Sequence, residues 1–297
     1  MSALASTVVR RAWKEYADVR RRFSRAGSAR PVLDLVDAAR RDTAAWNSAT
    51  AAAHDRYRAT CPVATGDVAV VCATNRPGRL RDVVANVARQ ELVPREVVVV
   101  TNGDRSGAAL DRAALDARLD ELRAVVERVE LRTMGADASL GACLNAGLDA
   151  TTSRFVAKFD DDDRYGPRYL SDALRAHGHA GAGIVGKHTW YAHLVERDVT
   201  ILRFPGNEFT YTSTLAGATL VIDRERVGDL AFRELSIGED RAFIADCNRR
   251  GVATYAADRF NFVVGRTAEH SWAMSDDAFT RLSITIGAGV PLDEIDR

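Results

Sequence analysis

Several features that would place a protein in a particular class are missing from this 297-residue sequence. It has only four cysteines and no C-x-x-C pair, which argues against a zinc knuckle or a thioredoxin-type motif. No apolar run reaches the roughly 18 residues of a transmembrane helix. The 41 basic residues equal the 41 acidic ones, so a basic nucleic-acid-binding protein is not indicated. We therefore expect a soluble globular protein of the cytoplasm with reduced, mostly buried cysteines.

The first 66 residues are rich in Ala and Arg and are predicted to be a helical extension. Residues 1–30 hold eight Lys or Arg against two Asp or Glu, on a helix with one apolar stripe. Three interpretations of this basic helix remain open: a solvated packing helix, a peripheral contact with an anionic membrane surface, or a contact with a partner protein or a second copy. A second helix is predicted from Pro31 to about Tyr57.

After Gly66, short apolar runs alternate with amphipathic helical segments. The predicted strands are Val68–Cys72, Glu96–Val100, Val129–Thr133 and Arg154–Phe159. The first two are apolar throughout, as in strands of a parallel sheet that is covered on both faces. The pattern predicts an α/β fold of the doubly wound type, in which ligands bind beyond the carboxyl ends of the strands.

Polar residues follow three of these strands, at Thr74-Asn75-Arg76, at Asn102 and at Asp160–Asp163. Neither G-x-G-x-x-G nor G-x-x-x-x-G-K-[ST] is present, which disfavours a dinucleotide-dependent dehydrogenase and a P-loop NTPase. Two like charges near 4 Å repel by about 1–4 kcal/mol, so four consecutive aspartates favour a bound cation. Hard oxygen ligands suit Mn²⁺ or Mg²⁺. The alternative is a solvated acidic turn before a helix that begins near Pro167.

Five segments together resemble the GT-A glycosyltransferases of family 2, over Val68 to about Trp272. They occur in the family's order and are Val70–Leu80, Val97–Gly103, Leu140–Gly147, Phe159–Pro167 and Gly238–Asp240. The resemblance implies a GT-A fold, Rossmann-like with a mostly parallel central sheet flanked by helices. It also implies a catalytic domain at 67–272, with a nucleotide-binding half at 67–165 and an acceptor half at 166–272, followed by a C-terminal tail at 273–297.

The resemblance also implies roles for individual residues. Asp160, Asp161 and Asp162 correspond to the D-x-D motif, and Asp162, its third residue, is expected to ligate the metal. Asp163 is expected to ligate it through water or to orient its neighbour, and His270 is placed to complete the metal shell. Asp161 occupies the variable position of the motif and is expected to be solvated. Asn102 stands where the family usually has an acidic residue, which leaves the identity of the base open. The residues expected to bind the nucleotide-sugar are Thr74, Asn75, Arg76, Asn102, Asp160, Asp161, Arg266 and Trp272.

The family's E-D motif corresponds to Glu239 and Asp240. Asp240 is expected to act as the general base, with Glu239 orienting the site; the alternative is an ordinary acidic first turn of a helix. The aromatics of a predicted hairpin over 187–203 could stack on an acceptor, although simple packing of the hairpin is favoured.

The resemblance predicts an inverting, metal-dependent glycosyltransferase with a UDP-sugar as the favoured donor. The expected acceptor is a hydroxyl of a glycan, a lipid-linked sugar or another molecule. Neither Q-x-x-R-W nor a set of membrane helices is seen, so single additions are expected rather than processive polysaccharide synthesis. The alternatives are a silent sugar-nucleotide or glycan-binding module of the same fold and a nucleotidyltransferase.

Overall fold

A computed structural model describes residues 39–40, 42–103, 111–267 and 279–297. The predicted basic helix in residues 1–30, His270 and Trp272 lie outside the described residues. The strands are β1 Val68–Thr74, β2 Glu96–Thr101, β3 Arg128–Thr133, β4 Phe155–Lys158, β5 Asp163–Tyr165, β6 Ile184–Gly186, β7 Trp190–Leu194, β8 Val199–Arg203, β9 Thr210–Tyr211, β10 Val221–Asp223, β11 Thr254–Ala256, β12 Phe262–Arg266 and β13 Ser283–Ala288. The helices are α1 Thr43–Thr60, α2 Leu80–Ala88, α3 Arg112–Arg123, α4 Leu140–Ala150, α5 Tyr169–Ala180, α6 Arg224–Val227, α7 Glu239–Arg249 and α8 Leu292–Ile295.

The central sheet has eight strands in the order β3-β2-β1-β4-β10-β6-β11-β9. Strands β1 to β4 are mutually parallel, as the sequence predicted, and β6 pairs in parallel with β11. Strand β10 is antiparallel to both β4 and β6, and β9 is antiparallel to β11. The result is a mixed but mostly parallel sheet of the predicted α/β class.

Strands β1 and β2 are covered by helices on both faces, and neither face is polar. Val70 and Val97 point into a core formed with α2 and α3, whereas Val71 and Val98 point into a second core formed with α4 and α7. Successive side chains of a strand point to opposite faces, so a strand buried on both sides must be apolar at every position. This covering leaves the carboxyl-terminal ends of the strands as the open edge of the sheet.

A second sheet of five strands has the order β13-β8-β7-β12-β5. Strands β7 and β8 form the predicted hairpin. Strand β5 begins at Asp163, the last of the four aspartates, and pairs with β12, so the acidic segment passes from the first sheet to the second. Strand β13 lies within the predicted C-terminal tail and pairs with β8 as part of this sheet.

Helix α1 is packed against the rest of the molecule through Trp46 and Tyr57, which are buried in two separate apolar clusters. The single helix predicted from Pro31 to about Tyr57 is wrong in its bounds. Asp42 is an N-cap whose side chain accepts a hydrogen bond from the backbone N–H of Ala45, and its extended backbone makes α1 start at Thr43. The domain boundary at residue 66 stays a prediction.

All four cysteines are free and buried, as expected. None of the helices in the described parts of the chain is both long and apolar enough to cross a membrane.

Candidate active site

A cavity of about 290 Å³ opens at the carboxyl-terminal ends of β1, β2 and β4. Five other parts of the fold complete its wall: the start of α4, the start of β7, the loop 216–218 before β10, the turn that leads into α7, and strand β12. Residues that are far apart in the sequence therefore meet at the edge where the α/β fold predicted a ligand site. The sequence-predicted residues among those that line it are Thr74, Asn75, Arg76, Asn102, Asp160, Asp161, Asp162, Asp163, Glu239 and Asp240.

The first two aspartates have protein partners. Asp160 accepts a hydrogen bond from Lys158, with Nζ and Oδ1 2.6 Å apart. Asp161 accepts hydrogen bonds from the hydroxyl of Thr74 and from the guanidinium of Arg76. The expectation that Asp161 is solvated is wrong, since only 3% of its surface is exposed. It faces inward because its two hydrogen-bond partners lie at the end of the neighbouring strand β1.

The four consecutive aspartates Asp160–Asp163 are called the acidic quartet below. Its third member, Asp162, projects toward Arg76 at the cavity surface, with Nη2 of Arg76 and Oδ2 of Asp162 2.9 Å apart. Asp163 is buried, and its Oδ1 accepts a hydrogen bond of 3.3 Å from the backbone N–H of Gly265. Burial raises the pKa of Asp163 well above its ordinary value, and repulsion from Asp162 and Asp160 raises it further. An added positive charge at this corner would therefore stabilise the ionised quartet.

The cavity wall carries a surplus of negative charge. Among the described residues that line it, six have carboxyl side chains and only Arg76 and Lys158 are cationic, a formal excess of four negative charges. Carboxylate oxygens are the ligands that Mg²⁺ and Mn²⁺ prefer, so the donor set fits such a cation. Asp162 and Asp163 are the residues that would hold it: Asp162 is partly exposed at the cavity and shares Arg76 with Asp161, and Asp163 accepts its hydrogen bond from a backbone N–H.

A buried tyrosine joins the acidic segment to the opposite wall. The hydroxyl of Tyr165 accepts a hydrogen bond of 2.8 Å from the backbone N–H of Asp160 and donates one of 2.7 Å to the carbonyl of Ala218. Its ring stacks on Phe159, with centroids 3.8 Å apart. This single side chain fixes the acidic segment relative to the loop 216–218.

Helix α7 brings the two remaining carboxylates to the cavity. Gly238 precedes it with a φ of 80°, a backbone conformation that favours glycine, and the helix starts at Glu239. Glu239 is buried, and burial raises its pKa, an effect that Lys158 opposes and Asp240 adds to. Asp240 is more accessible and projects from the first turn, where carboxylates are favoured by the helix dipole.

The loop 216–218 leaves room for Asp240 only because residue 217 is glycine. A Cβ atom added to Gly217 would lie 1.6 Å from Oδ2 of Asp240, far inside any van der Waals contact. The Asp240 carboxylate therefore occupies the space that a side chain at position 217 would take. The hydrogen bonds of Tyr165 position the acidic segment against the loop 216–218, and the close approach of Gly217 positions Asp240 against the same loop.

The residues Leu140–Gly147 of helix α4 hold the backbone of a neighbouring segment, around Phe232 and Arg233, in place. Asn145 exchanges two hydrogen bonds of 2.8 Å with the backbone of Phe232. At Gly141, an added Cβ would lie 1.9 Å from the carbonyl oxygen of Arg233. Helix α4 thus clamps the segment that leads to Gly238 and α7.

The other predicted residues differ in their placement. Asn75 is exposed at the cavity, and Asn102 donates a hydrogen bond of 3.0 Å to the carbonyl of Ala138. Arg266 lies outside the cavity wall, where its guanidinium carbon is 4.2 Å from the centroid of the Phe279 ring. The roles predicted for these residues stay predictions.

Sequence reasoning missed Lys158, a buried cation on the cavity wall. Its signal was a lysine within the apolar run Phe155–Phe159, because lysine is almost never buried without a partner. Opposite charges, Asp160 above all, raise the pKa of Lys158 although burial alone would lower it. Trp190 of the hairpin also reaches the cavity, whereas its neighbour Tyr191 is buried.

Comparison with known proteins identifies the family and the fold. The family model described as "Glycosyltransferase like family 2" matches residues 67–281. The mannosyltransferase PcManGT from Pyrobaculum calidifontis, solved with GDP-Man and Mn²⁺, is 18% identical with a TM-score of 0.53, over 81% of this chain and 70% of that one. A TarS 1-349 structure from S. aureus in complex with UDP-GlcNAc is 16% identical with a TM-score of 0.53, over 73% of this chain and 64% of that one. No curated protein sequence gives a significant match.

At these identities the two structures are similar to this chain in fold alone. A TarS 1-349 structure without a stated ligand gives the same result, at 15% identity and a TM-score of 0.51, and the chain covers 60% of its length. The match to the family model extends over most of the chain and includes every segment that lines the cavity. The chain therefore belongs to the glycosyltransferase-like family 2 and has the GT-A type of fold.

Proposed function

We propose that this glycosyltransferase is an inverting, metal-dependent enzyme that moves a sugar from a nucleotide-diphospho-sugar to an acceptor hydroxyl. The observation that carries the proposal is the excess of carboxylates around a cavity at the carboxyl ends of β1, β2 and β4. A diphosphate would add further negative charge to this corner, so its binding requires a cation between it and Asp162. The TarS and PcManGT structures named above contain UDP-GlcNAc in one case and GDP-Man with Mn²⁺ in the other, which supports this donor class.

The nucleotide is proposed to lie on the first half of the domain, residues 67–165. Asn75 and Asn102 end two adjacent strands and would face the base and ribose, with Thr74 behind them. An amide both donates and accepts hydrogen bonds, which suits a uracil edge and makes a UDP-sugar the favoured donor. Arg76 lies beside Asp162 and would contact the diphosphate.

Mn²⁺ or Mg²⁺ on Asp162 and Asp163 would neutralise the departing diphosphate as a Lewis acid. The chain's own residues supply the rest of the proposed mechanism. Lys158 and Arg76 limit repulsion within the acidic segment, since they pair with Asp160 and Asp161. Tyr165 holds that segment at a fixed distance from the loop 216–218.

Asp240 is the proposed general base. It is more accessible than Glu239 and lines the same cavity as the acidic quartet, where an acceptor hydroxyl is proposed to approach the sugar from the side away from the diphosphate. Removal of the hydroxyl proton as that oxygen attacks the anomeric carbon gives inversion in one displacement. Glu239, buried behind it, is proposed to orient the site.

The acceptor is proposed to be a hydroxyl of a glycan, a lipid-linked sugar or another molecule, taken up beside Trp190 and the loop 216–218. Calorimetric titration of the full chain with UDP and GDP, in Mn²⁺ and then in excess EDTA, tests the donor site. We expect tight binding of UDP that falls at least tenfold in EDTA. Equal affinity with and without metal would contradict the metal role.

A second measurement separates a transferase from a silent binding module. Slow hydrolysis of a UDP-sugar in Mn²⁺ releases UDP and free sugar without any acceptor, and NMR of the first product reports the anomer. Release of the inverted anomer would support the proposed displacement. Binding of the donor with no hydrolysis and no transfer to any acceptor in a glycan panel would favour a binding module.

A further inference from the structure

A second group of potential metal ligands lies away from the cavity, where helix α1 packs on the catalytic domain. His54 comes from α1, Asp172 from α5, and Asp258 from the segment that follows β11. All three residues are buried, with 0%, 2% and 1% of their surfaces exposed. One ligand atom from each lies within 4.8 Å of the other two.

The imidazole of His54 lacks the hydrogen bonds that a buried histidine normally makes. Within the described residues, neither Nδ1 nor Nε2 has a hydrogen-bond partner, and Oδ2 of Asp258 has none either. The rings of Phe260 and Phe209 lie beside the imidazole, with centroids 4.6 and 6.2 Å away. A buried polar atom without a hydrogen-bond partner lowers the stability of the fold, so a ligand bound to these atoms would be stabilising.

The distances between these atoms suit a shared cation better than direct hydrogen bonds. Nε2 of His54 is 3.6 Å from Oδ2 of Asp258 and 3.9 Å from Oδ2 of Asp172. Hydrogen bonds between such atoms are about 2.7–3.2 Å long. Tetrahedral ligands at about 2.0–2.2 Å from one zinc ion are about 3.3–3.6 Å apart. Nε2 of His54 is within a few tenths of an ångström of that spacing from each of the two oxygens.

The remaining oxygen of Asp258 is already used, which leaves Oδ2 for the ion. Oδ1 of Asp258 accepts hydrogen bonds from Nζ of Lys187 and from the backbone N–H of Phe260, at 3.2 and 2.7 Å. Arg58 binds both oxygens of Asp172, at 3.0 and 2.6 Å. Lys187 and Arg58 are positively charged and repel a dication, so they lower the affinity of the cluster for zinc.

We propose that His54, Asp172 and Asp258 form a structural zinc site that fastens helix α1 to the catalytic domain. One imidazole nitrogen and two carboxylate oxygens are ordinary zinc ligands, and a water molecule would complete a four-coordinate shell. The site is separate from the acidic corner of the cavity, which none of these three residues lines. Because the cluster is buried, zinc must be taken up as α1 docks during folding.

The test uses the full chain produced with zinc in the medium, in an Asp162→Ala background that weakens the proposed cavity metal site. Zinc content after desalting is measured by mass spectrometry for this protein and for versions that also carry His54→Gln or, as a matched control, His193→Gln. We expect about one zinc fewer per chain with His54→Gln and no change with His193→Gln. Equal zinc contents in the two would overturn the proposal.

A crystallographic measurement covers the case in which His54→Gln fails to fold. Crystals of the unsubstituted chain grown with zinc chloride are measured on both sides of the zinc absorption edge. An anomalous peak within ligand distance of His54 Nε2 and Asp258 Oδ2 is the expected result. Ordered density for all three side chains with no anomalous peak between them would overturn the site.

Discussion

The two halves of the catalytic domain bring different things to the same cavity. The first half, residues 67–165, is built on four adjacent parallel strands and supplies the aspartate quartet and its two cationic partners. The second half of the proposed division, residues 166–272, is built on short strands of mixed direction and supplies Gly217, Glu239 and Asp240. If the proposed function is right, the first half governs donor affinity and the second governs the rate of transfer. Each of the substitutions below tests whether binding and chemistry separate in this way.

Asp162→Ala is expected to have the largest effect. It removes a proposed metal ligand, so the diphosphate loses its bridging cation and transfer should fall by about 10³-fold or more. Affinity for UDP in Mn²⁺ should fall to the level seen in EDTA. The measurements are UDP-sugar turnover and calorimetric titration, with the exposed Asp149→Ala as the control. Transfer that survives both this substitution and EDTA would break the metal mechanism.

Asp240→Asn is expected to reduce the turnover rate by about 10²–10⁴-fold, because an amide cannot accept the acceptor proton. Donor affinity should stay within about twofold of the unsubstituted chain, since Asp240 is not among the residues proposed to bind the nucleotide or the metal. Steady-state kinetics and UDP titration are measured on the same preparations. A loss of UDP affinity as large as the loss of rate would contradict the role of Asp240 as general base. It would also show that donor binding and transfer are not separated between the two halves.

Gly217→Ala tests the position of Asp240 without changing its chemistry. The new Cβ would overlap Oδ2 of Asp240 at 1.6 Å, so the carboxylate must turn away. A misplacement of about 1 Å costs on the order of 10² in rate, and we expect that loss in turnover with the melting temperature nearly unchanged. Gly287→Ala is the matched control because an added Cβ there meets nothing within 4 Å. Full activity of Gly217→Ala would show that the placement of Asp240 is unimportant.

Tyr165→Phe cuts the connection between the two walls. It leaves the N–H of Asp160 and the carbonyl of Ala218 without their partner, a loss of about 1–3 kcal/mol in stability. Because the acidic segment then moves relative to the loop 216–218, turnover should fall by about tenfold with a smaller change in UDP affinity. Tyr57→Phe is the control, since the buried hydroxyl of Tyr57 makes no hydrogen bond within the described residues. Equal free energies of unfolding and equal turnover rates for Tyr165→Phe and Tyr57→Phe would contradict the proposal that Tyr165 connects the two walls.

The smallest effect concerns pH and the stability of the first half. Burial alone would raise the pKa of Glu96, but hydrogen bonds from Ser153, Thr152 and Arg128 lower it from 4.5 to about 2. A carboxyl group with a lowered pKa stabilises the fold above pH 4.5, and this contribution of about 3 kcal/mol disappears as the pH falls toward 2. Denaturant unfolding at pH 7 and at pH 3 should show a smaller drop for Glu96→Gln than for the unsubstituted chain or for the exposed Glu127→Gln. Parallel losses in all three proteins would contradict the shift.

The first half was the easier one to predict from sequence. Strands β1 and β2 are almost entirely apolar because both of their faces are covered, and that pattern marks them without knowledge of their partners. Strand β1 was predicted from Val68 and ends at Thr74, and Glu239 begins the helix that the sequence placed there. Strand β10 is harder to predict, since residues 217–219 form a 3₁₀ turn and the strand, which begins at Val221, is only three residues long. Its position depends on pairing with β4 and β6, which no local pattern encodes.

The direction of individual side chains in the site could not be read from the sequence either. Asp161 was expected in solvent, yet Thr74 and Arg76 at the end of the neighbouring strand hold it inside. Lys158 was overlooked because its partner charges come from two segments, Asp160 next to it and Glu239 and Asp240 at the start of α7. The group of His54, Asp172 and Asp258 had no signal at all, since its members are spread over more than 200 residues.

By itself, the sequence determined the α/β class, the parallel strands of the first half and the chemical type of the cavity, because periodicity and unbroken runs of one residue type are local properties of the chain. Tertiary structure alone decided which carboxylate is buried, which cation pairs with it, and why position 217 must be glycine. Those outcomes depend on distances between residues far apart in the chain, and hydrogen bonding, desolvation and steric overlap act through distance in space.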